Sequence, residues 1–207
     1  MHRLRIIPLV ILIALSAACS DDKRTITDPV DTGYVTADTP DALMVNFVRA
    51  YEERNIVEYE KLLHDDFEFT FTAEDVTELG LPSPIWDRLT ELAATQRMFD
   101  GSMGVDPISG QPTPAITNIA LSLDKVTEWT TANDGDPRYE GTQHRVYRVT
   151  MRVTLEGTED QRIGGHQDFY VVENDGVFQM KAWNEVGWSI KSKSNESESW
   201  GSIKVLY

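Results

Sequence analysis

A strict alternation of apolar and polar residues in the second half of the chain leaves few folds open to it. In the segment 144–156, "HRVYRVTMRVTLE", the apolar side chains recur at every second position: Tyr147, Val149, Met151, Val153 and Leu155. Successive side chains of a strand point to opposite faces, so this pattern predicts a long strand with one buried face. Strand-like segments at 116–129, 162–174 and 177–188, with a turn signal "NDG" at 174–176, extend it to a meander of four antiparallel strands.

The first half of the domain has helical signals instead. Thr39 before Pro40 is typical of a helix start, and Asn55 can cap a second short helix. A third helix is expected over 83–101, with Ser83 as its cap and Gly101 as its stop. This order predicts an α+β fold, in which a curved antiparallel sheet carries three N-terminal helices on one face and forms a conical pocket.

A row of aromatic residues lies beside the predicted helices and suggests the walls of that pocket. Phe67, Phe69 and Phe71 alternate along one short strand directly after the second helix. The simpler interpretation is that these rings only fill the core. If the space is a ligand site, its expected lining residues are Phe47, Tyr51, Phe67, Phe69, Trp86 and Tyr170.

The N-terminus has the pattern of an export signal. Arg3 and Arg5 precede an apolar run at 6–15, and small residues lead to Cys19, the single cysteine. The stretch before Cys19 resembles a bacterial lipobox, although Ser16 stands where leucine is usual, and this implies lipid attachment at Cys19. Ordinary secretion with a free cysteine is the alternative. The predicted organisation is a signal peptide at 1–18, a flexible tether at 19–37, one domain at 38–189, and a polar spacer with a short apolar end at 190–207.

Composition excludes some partners. Acidic residues outnumber basic ones 34 to 19, for a net charge of −15, which disfavours binding to nucleic acid.

No glycine-rich phosphate loop is present in the sequence, and the run at 64–66, "HDD", is not matched by a second cluster with ligand spacing. We therefore expect neither a cofactor nor a metal ion.

Two stretches resemble the nuclear-transport-factor-2-like superfamily, which includes ketosteroid isomerases and polyketide-cyclase-like proteins. They are "AYEERNIVEYEKLLHDDFEF" at 50–69 and "DFYVVENDGVFQMKAWNE" at 168–185, and the resemblance covers about 40–188. It implies the helix-covered curved sheet and its pocket. The isomerase tyrosine falls at Phe47 and the general base near Phe71, neither of which can serve, and only the oxyanion-hole aspartate has a counterpart, at Asp168. Isomerase chemistry by that route is therefore disfavoured.

The functional prediction is a lipid-anchored domain of the bacterial cell envelope that binds a small apolar ligand or a protein partner without catalysis. One alternative is a pocket enzyme for proton transfer or hydration, with His166 and Asp168 as the catalytic pair and Glu185 as a further candidate. The same pair could equally be a polar pocket wall or an exposed strand face. A dimeric structural module is the third hypothesis.

Overall fold

The computed structural model describes residues 33–133, 135–186 and 199–207, so the predicted signal peptide, Cys19 and the polar spacer lie outside it. The helices are α1 (Pro40–Glu52), α2 (Ile56–Leu62), α3 (Ala73–Glu78), α4 (Arg88–Asp100) and α5 (Trp200–Leu206), with a 3-10 turn at Pro137–Tyr139. The strands are β1 (Leu63–Thr70), β2 (Ile85–Asp87), β3 (Gly104–Val105), β4 (Pro112–Thr113), β5 (Ile116–Lys125), β6 (Thr130–Thr131), β7 (Gln143–Leu155), β8 (Gln161–Asn174) and β9 (Val177–Val186). None of the helices in these ranges is long and apolar enough to cross a membrane.

The first two helices begin at the predicted caps. The Thr39 hydroxyl accepts a hydrogen bond from the main-chain N–H of Ala42 at 3.1 Å, and the Asn55 side chain does the same for Glu58 at 3.2 Å. Each cap satisfies a main-chain donor that the first turn leaves without a partner.

Two predictions for the segment 72–101 are wrong. Helix α3 was not expected from the sequence pattern, and α4 is capped by Asp87 rather than Ser83. The residues assigned to the start of that helix form β2 instead, because Ile85 and Trp86 gain main-chain partners on the edge of β1. Leu89, in the first turn of α4, is 73% exposed.

Seven of the described strands form one curved sheet in the order β2-β1-β9-β8-β7-β5, with β6 paired to β7, and β3 and β4 form a separate pair. The α+β class and the antiparallel meander are confirmed, but the sheet is mixed, since β1 pairs with β9 in parallel. A helix rather than a hairpin leads into β1, so no tight turn fixes its direction. The alternating face of β7 is buried as predicted, with Val149, Met151 and Val153 at most 1% exposed.

A β-bulge changes which residues of β9 face the core. Met180 pairs with Val171 and Ala182 pairs with Tyr170, so Lys181 is an extra residue without a partner position on β8. The alternation shifts by one residue at that point. Trp183 is therefore fully buried in the core, whereas the sequence pattern placed it on the face opposite Met180.

The end of the predicted tether belongs to the domain. Asn46 of α1 both accepts from and donates to the main chain of Val35, at 3.0 and 2.7 Å. The carbonyl of Ala37 accepts from the main-chain N–H of Phe178 at 2.6 Å. Residues 33–37 are therefore held against α1 and β9, because their backbone finds fixed partners there.

Candidate binding chamber between the helices and the sheet

The space between the helices and the inner face of the sheet has aromatic walls, and we call it the chamber. Helix α1 supplies Phe47 and Tyr51, β1 supplies Phe69, and β9 supplies Trp183, each of them fully buried. The Phe47 and Trp183 ring centroids are 5.4 Å apart, with the ring planes nearly perpendicular. Edge-to-face contacts of this kind fix the positions of the rings beyond what burial alone would do.

Helix α5 occupies the chamber. The Trp200 ring lies 4.9 Å from that of Trp183 and 5.2 Å from that of Tyr51, measured between centroids. Trp200 and Ile203 are at most 1% exposed. The interior that was expected to be open is therefore filled by the last residues of the chain.

A buried ion pair lies at the centre of this contact. Lys204 Nζ of α5 donates to both carboxylate oxygens of Glu91 on α4 at 2.7 Å, and both side chains are fully buried. The same ammonium lies 4.0 Å from the ring centroid of Phe69 and 3.8 Å from that of Trp183. Burial lowers the pKa of Lys204 to about 8, and the charge of Glu91 opposes that shift.

A pair of acidic side chains meets the start of α5. The Ser199 hydroxyl donates to Asp75 at 2.8 Å, and the main-chain N–H of Gly201 donates to Glu185 at 2.8 Å. Burial of the carboxyl group, with Asp75 beside it, raises the pKa of Glu185 to about 8. A carboxyl group that holds its proton lets two acids share this site without charge repulsion.

Two glycines let α5 approach its surroundings closely. A Cβ atom added at Gly201 would lie 2.6 Å from the Phe71 ring and 2.7 Å from the Glu185 carboxyl group. A Cβ atom added at Gly104, on β3, would overlap the main-chain carbonyl oxygen of Leu206. Neither glycine has a positive φ, so what favours glycine at both positions is space.

Most of the predicted lining residues lie at or near the chamber. Phe47, Tyr51 and Phe69 form its walls, and Phe67 is buried on the same face of β1. Trp86 lies at the sheet edge, with its ring 4.8 Å from that of Phe71. An open groove of about 400 Å³ between α1 and β5 has other lining residues, among them Met44, Leu121 and Tyr147.

The catalytic alternative requires His166 and Asp168 to face an enclosed pocket, and the structure places them on an outer strand face instead. Together with Tyr170 they lie on the outer face of β8, because the inward positions are Gln167 and Phe169. The aspartate carried over from the isomerases therefore falls on the wrong face.

On that outer face, Asp168 contacts a different histidine. Both carboxylate oxygens of Asp168 lie 3.1 Å from His144 Nδ1. Tyr170 stacks between the His144 ring, at 5.1 Å, and the Tyr139 ring, at 4.0 Å. This cluster covers the outer sheet surface, and the third candidate, Glu185, points to the opposite side toward α5.

Sequence reasoning missed the charged residues of the chamber. Glu91 and Lys204 were not singled out, although Lys204 lies four residues after Trp200 on an otherwise apolar helical face. That spacing was the available signal, since side chains at i and i+4 are neighbours on a helix.

The fold has relatives of known structure. A conserved protein of Planctomyces limnophilus is similar with a TM-score of 0.51 and 12% identity, over 70% of this chain and 94% of that one. The chain has the nuclear-transport-factor-2-like fold. At that identity the likeness establishes the fold alone.

Other solved structures have a weaker likeness to this chain, with TM-scores below 0.5. A Kribbella flavida protein has a TM-score of 0.47 and 13% identity, over 70% of this chain and 84% of that one. A type 2 hexachlorocyclohexane dehydrochlorinase has 0.45 and 12%, over 70% and 79%. No protein-family model matches the sequence, and a comparison with curated proteins finds no relative.

Proposed function

We propose that this protein is a lipid-anchored binding protein of the bacterial cell envelope, whose chamber takes an apolar ligand in place of α5. The observation that carries the proposal is that the aromatic walls close around a separate short helix. The walls come from segments between α1 and β9, whereas the filling comes from the last residues of the chain.

Helix α5 is suited to leaving the chamber. It has seven residues, and a helix of that length does not persist in water without tertiary contacts. It adds no strand to the sheet, and side-chain packing, a few terminal hydrogen bonds and the ion pair of Lys204 with Glu91 hold it in place. A ligand that replaces the packing of Trp200 and Ile203 would therefore offset the apolar part of what undocking loses.

Dye binding to the full chain tests this function. N-phenyl-1-naphthylamine, a neutral apolar dye, should bind weakly to the wild type and with saturable, one-site fluorescence to Gly104→Ala, in which α5 cannot seat. The control Gly164→Ala, whose added Cβ atom meets nothing closer than 3.6 Å, should resemble the wild type. Equally weak binding by all three proteins, when hydrogen exchange at 199–207 shows that α5 is displaced in Gly104→Ala, would overturn the proposal. Independently of the dye, native mass spectrometry of protein purified from its host would identify a ligand that stays bound.

The anchor is proposed from the sequence pattern at Cys19. Labelled palmitate should be incorporated into the wild type and not into Cys19→Ser, and the labelled protein should fractionate with membranes. Equal labelling of both proteins would contradict the anchor without affecting the chamber. Binding of a protein partner and homodimer formation remain predictions for the same domain.

A further inference from the structure

The chamber contains a built receptor for a cation. Glu91 is fully buried, and the hydroxyl groups of Tyr59 and Thr95 donate to its Oε1 atom at 2.7 and 3.0 Å. The rings of Phe69 and Trp183 face the same point. We call these five residues the ammonium cage.

The cage belongs to the walls and not to α5. Its members lie on α2, α4, β1 and β9, and α5 contributes only the cation that fills it. Tyr59 and Thr95 orient the carboxylate whether or not Lys204 is present, since their bonds to Glu91 do not involve α5. An uncompensated carboxylate in such a site is costly, and a cation held between Glu91 and the two rings offsets that cost.

The contacts of Lys204 define which cation fits. Its nitrogen donates to both Glu91 oxygens at 2.7 Å, which requires at least two N–H groups, and it also lies over two aromatic faces. A primary ammonium meets both requirements, whereas an alcohol carries no charge for the rings to attract.

Helix α5 also indicates which kind of group accompanies the ammonium in the chamber. Trp200 presents its indole four residues before Lys204, so α5 carries an aromatic ring and an ammonium on one face. The buried Tyr51 hydroxyl lies next to the side chains of Trp200, Tyr59 and Thr95, so the wall around the indole is partly polar.

We infer that the chamber recognises ligands in which a primary ammonium is joined to an aromatic or other apolar body, and that α5 is the internal occupant of the same site. This inference rests on the proposed binding function and adds the ligand class to it. A purely structural ion pair is the competing explanation, and it predicts no preference for amines from solution.

Tryptamine and tryptophol, which differ only in the ammonium and hydroxyl groups, are the probes. Hydrogen–deuterium exchange of 199–207 in the full chain reports whether α5 leaves the chamber. We expect tryptamine to accelerate this exchange saturably, at a concentration about tenfold or more below that of tryptophol, because only the ammonium carries a charge that balances Glu91 and can donate to both of its oxygens. Exchange in β7 and β8 should not change.

The matched control is the full-chain double variant Glu91→Gln, Lys204→Met. It removes one acidic and one basic residue, so the net charge of −15 and any non-specific attraction of cations are unchanged. Tryptamine and tryptophol should act equally on it. If this variant does not fold, Phe69→Leu removes one ring of the cage and should reduce the preference for tryptamine roughly two- to fivefold.

The outcomes separate this inference from the function on which it rests. If both probes release α5 at similar concentrations in the wild type, the apolar chamber stands and the ammonium inference is overturned. If the preference for tryptamine persists in the double variant, the cage is not its source and the inference is overturned as well. If neither probe alters exchange at 199–207 at any concentration, the proposed function itself fails.

Discussion

At the scale of single residues, the most consequential contact is the buried pair of Glu91 and Lys204. Two ions without water are expensive, so removing one partner should cost far more than replacing both with neutral groups of similar shape. We expect Glu91→Gln to lower the free energy of unfolding by about 3–5 kcal/mol, measured by urea denaturation.

The double variant is the test of that explanation. Adding Lys204→Met to Glu91→Gln should recover most of the loss, because methionine fills the space between Phe69 and Trp183 without a charge. Additive losses in the two single variants and the double variant would show that the two side chains act independently.

Glu185 should make stability depend on pH. Its pKa is raised from 4.5 to about 8 in the folded protein, so the folded state holds a proton that the unfolded chain has released. The contribution of this group is complete below about pH 4.5 and is lost as the pH rises toward 8. Lys204, with its pKa lowered to about 8, acts only above that range, where it favours folding as the pH rises.

We therefore expect the urea midpoint of the wild type to fall between pH 5 and pH 8 more steeply than that of Glu185→Gln. Glutamine can still accept from the Gly201 N–H, which makes it a suitable replacement. The two proteins differ in this one ionisable group, so the difference between the two curves isolates Glu185. Parallel curves would mean that Glu185 is ionised in the folded state.

The apolar wall residues could be foreseen from the sequence, and the charged ones could not. Phe47, Tyr51 and Phe69 follow local periodicity, which is a property of neighbouring positions. Glu91 and Lys204 are 113 residues apart in the chain, and charged residues are expected on the surface unless they are paired. Only the tertiary structure brings this pair together.

At the scale of elements, the position of α5 depends on its close contact with β3. The small hairpin of β3 and β4 carries Gly104, and any side chain there would overlap the backbone of Leu206. We expect Gly104→Ala to displace α5 and to speed hydrogen exchange at 199–207 at least tenfold, while Gly164→Ala leaves it unchanged. Unchanged exchange in Gly104→Ala would mean that the hairpin moves and α5 keeps its place.

The same scale explains where sequence patterns failed. Caps at Thr39 and Asn55 and the alternation of β7 are local, and they were predicted correctly. The bulge at Lys181 is fixed by pairing with β8, and it decides that Trp183 and Glu185 point toward α5. No local signal in "QMKAWNE" reveals the shift, so strict alternation places Trp183 on the face opposite Met180 although both are buried in the core.

At the scale of the whole molecule, the sheet and helix α5 are held in place by different kinds of interaction. The strands β5, β7, β8 and β9 are joined by antiparallel ladders, whereas α5 is joined by side-chain packing, one buried ion pair and hydrogen bonds at its ends. Contiguous units with weaker connections open before the whole protein unfolds. The chamber should therefore open while the sheet remains intact.

Native-state hydrogen exchange at increasing, sub-denaturing urea measures this opening. Amides at 200–207 should exchange through an event of lower free energy and smaller urea dependence than those of β7, because releasing one short helix exposes little surface. Glu91→Gln should lower the free energy of the first event more than Gly164→Ala does. If α5 amides exchange only with global unfolding, the helix is a permanent part of the core, and a ligand could enter the chamber only by unfolding the protein.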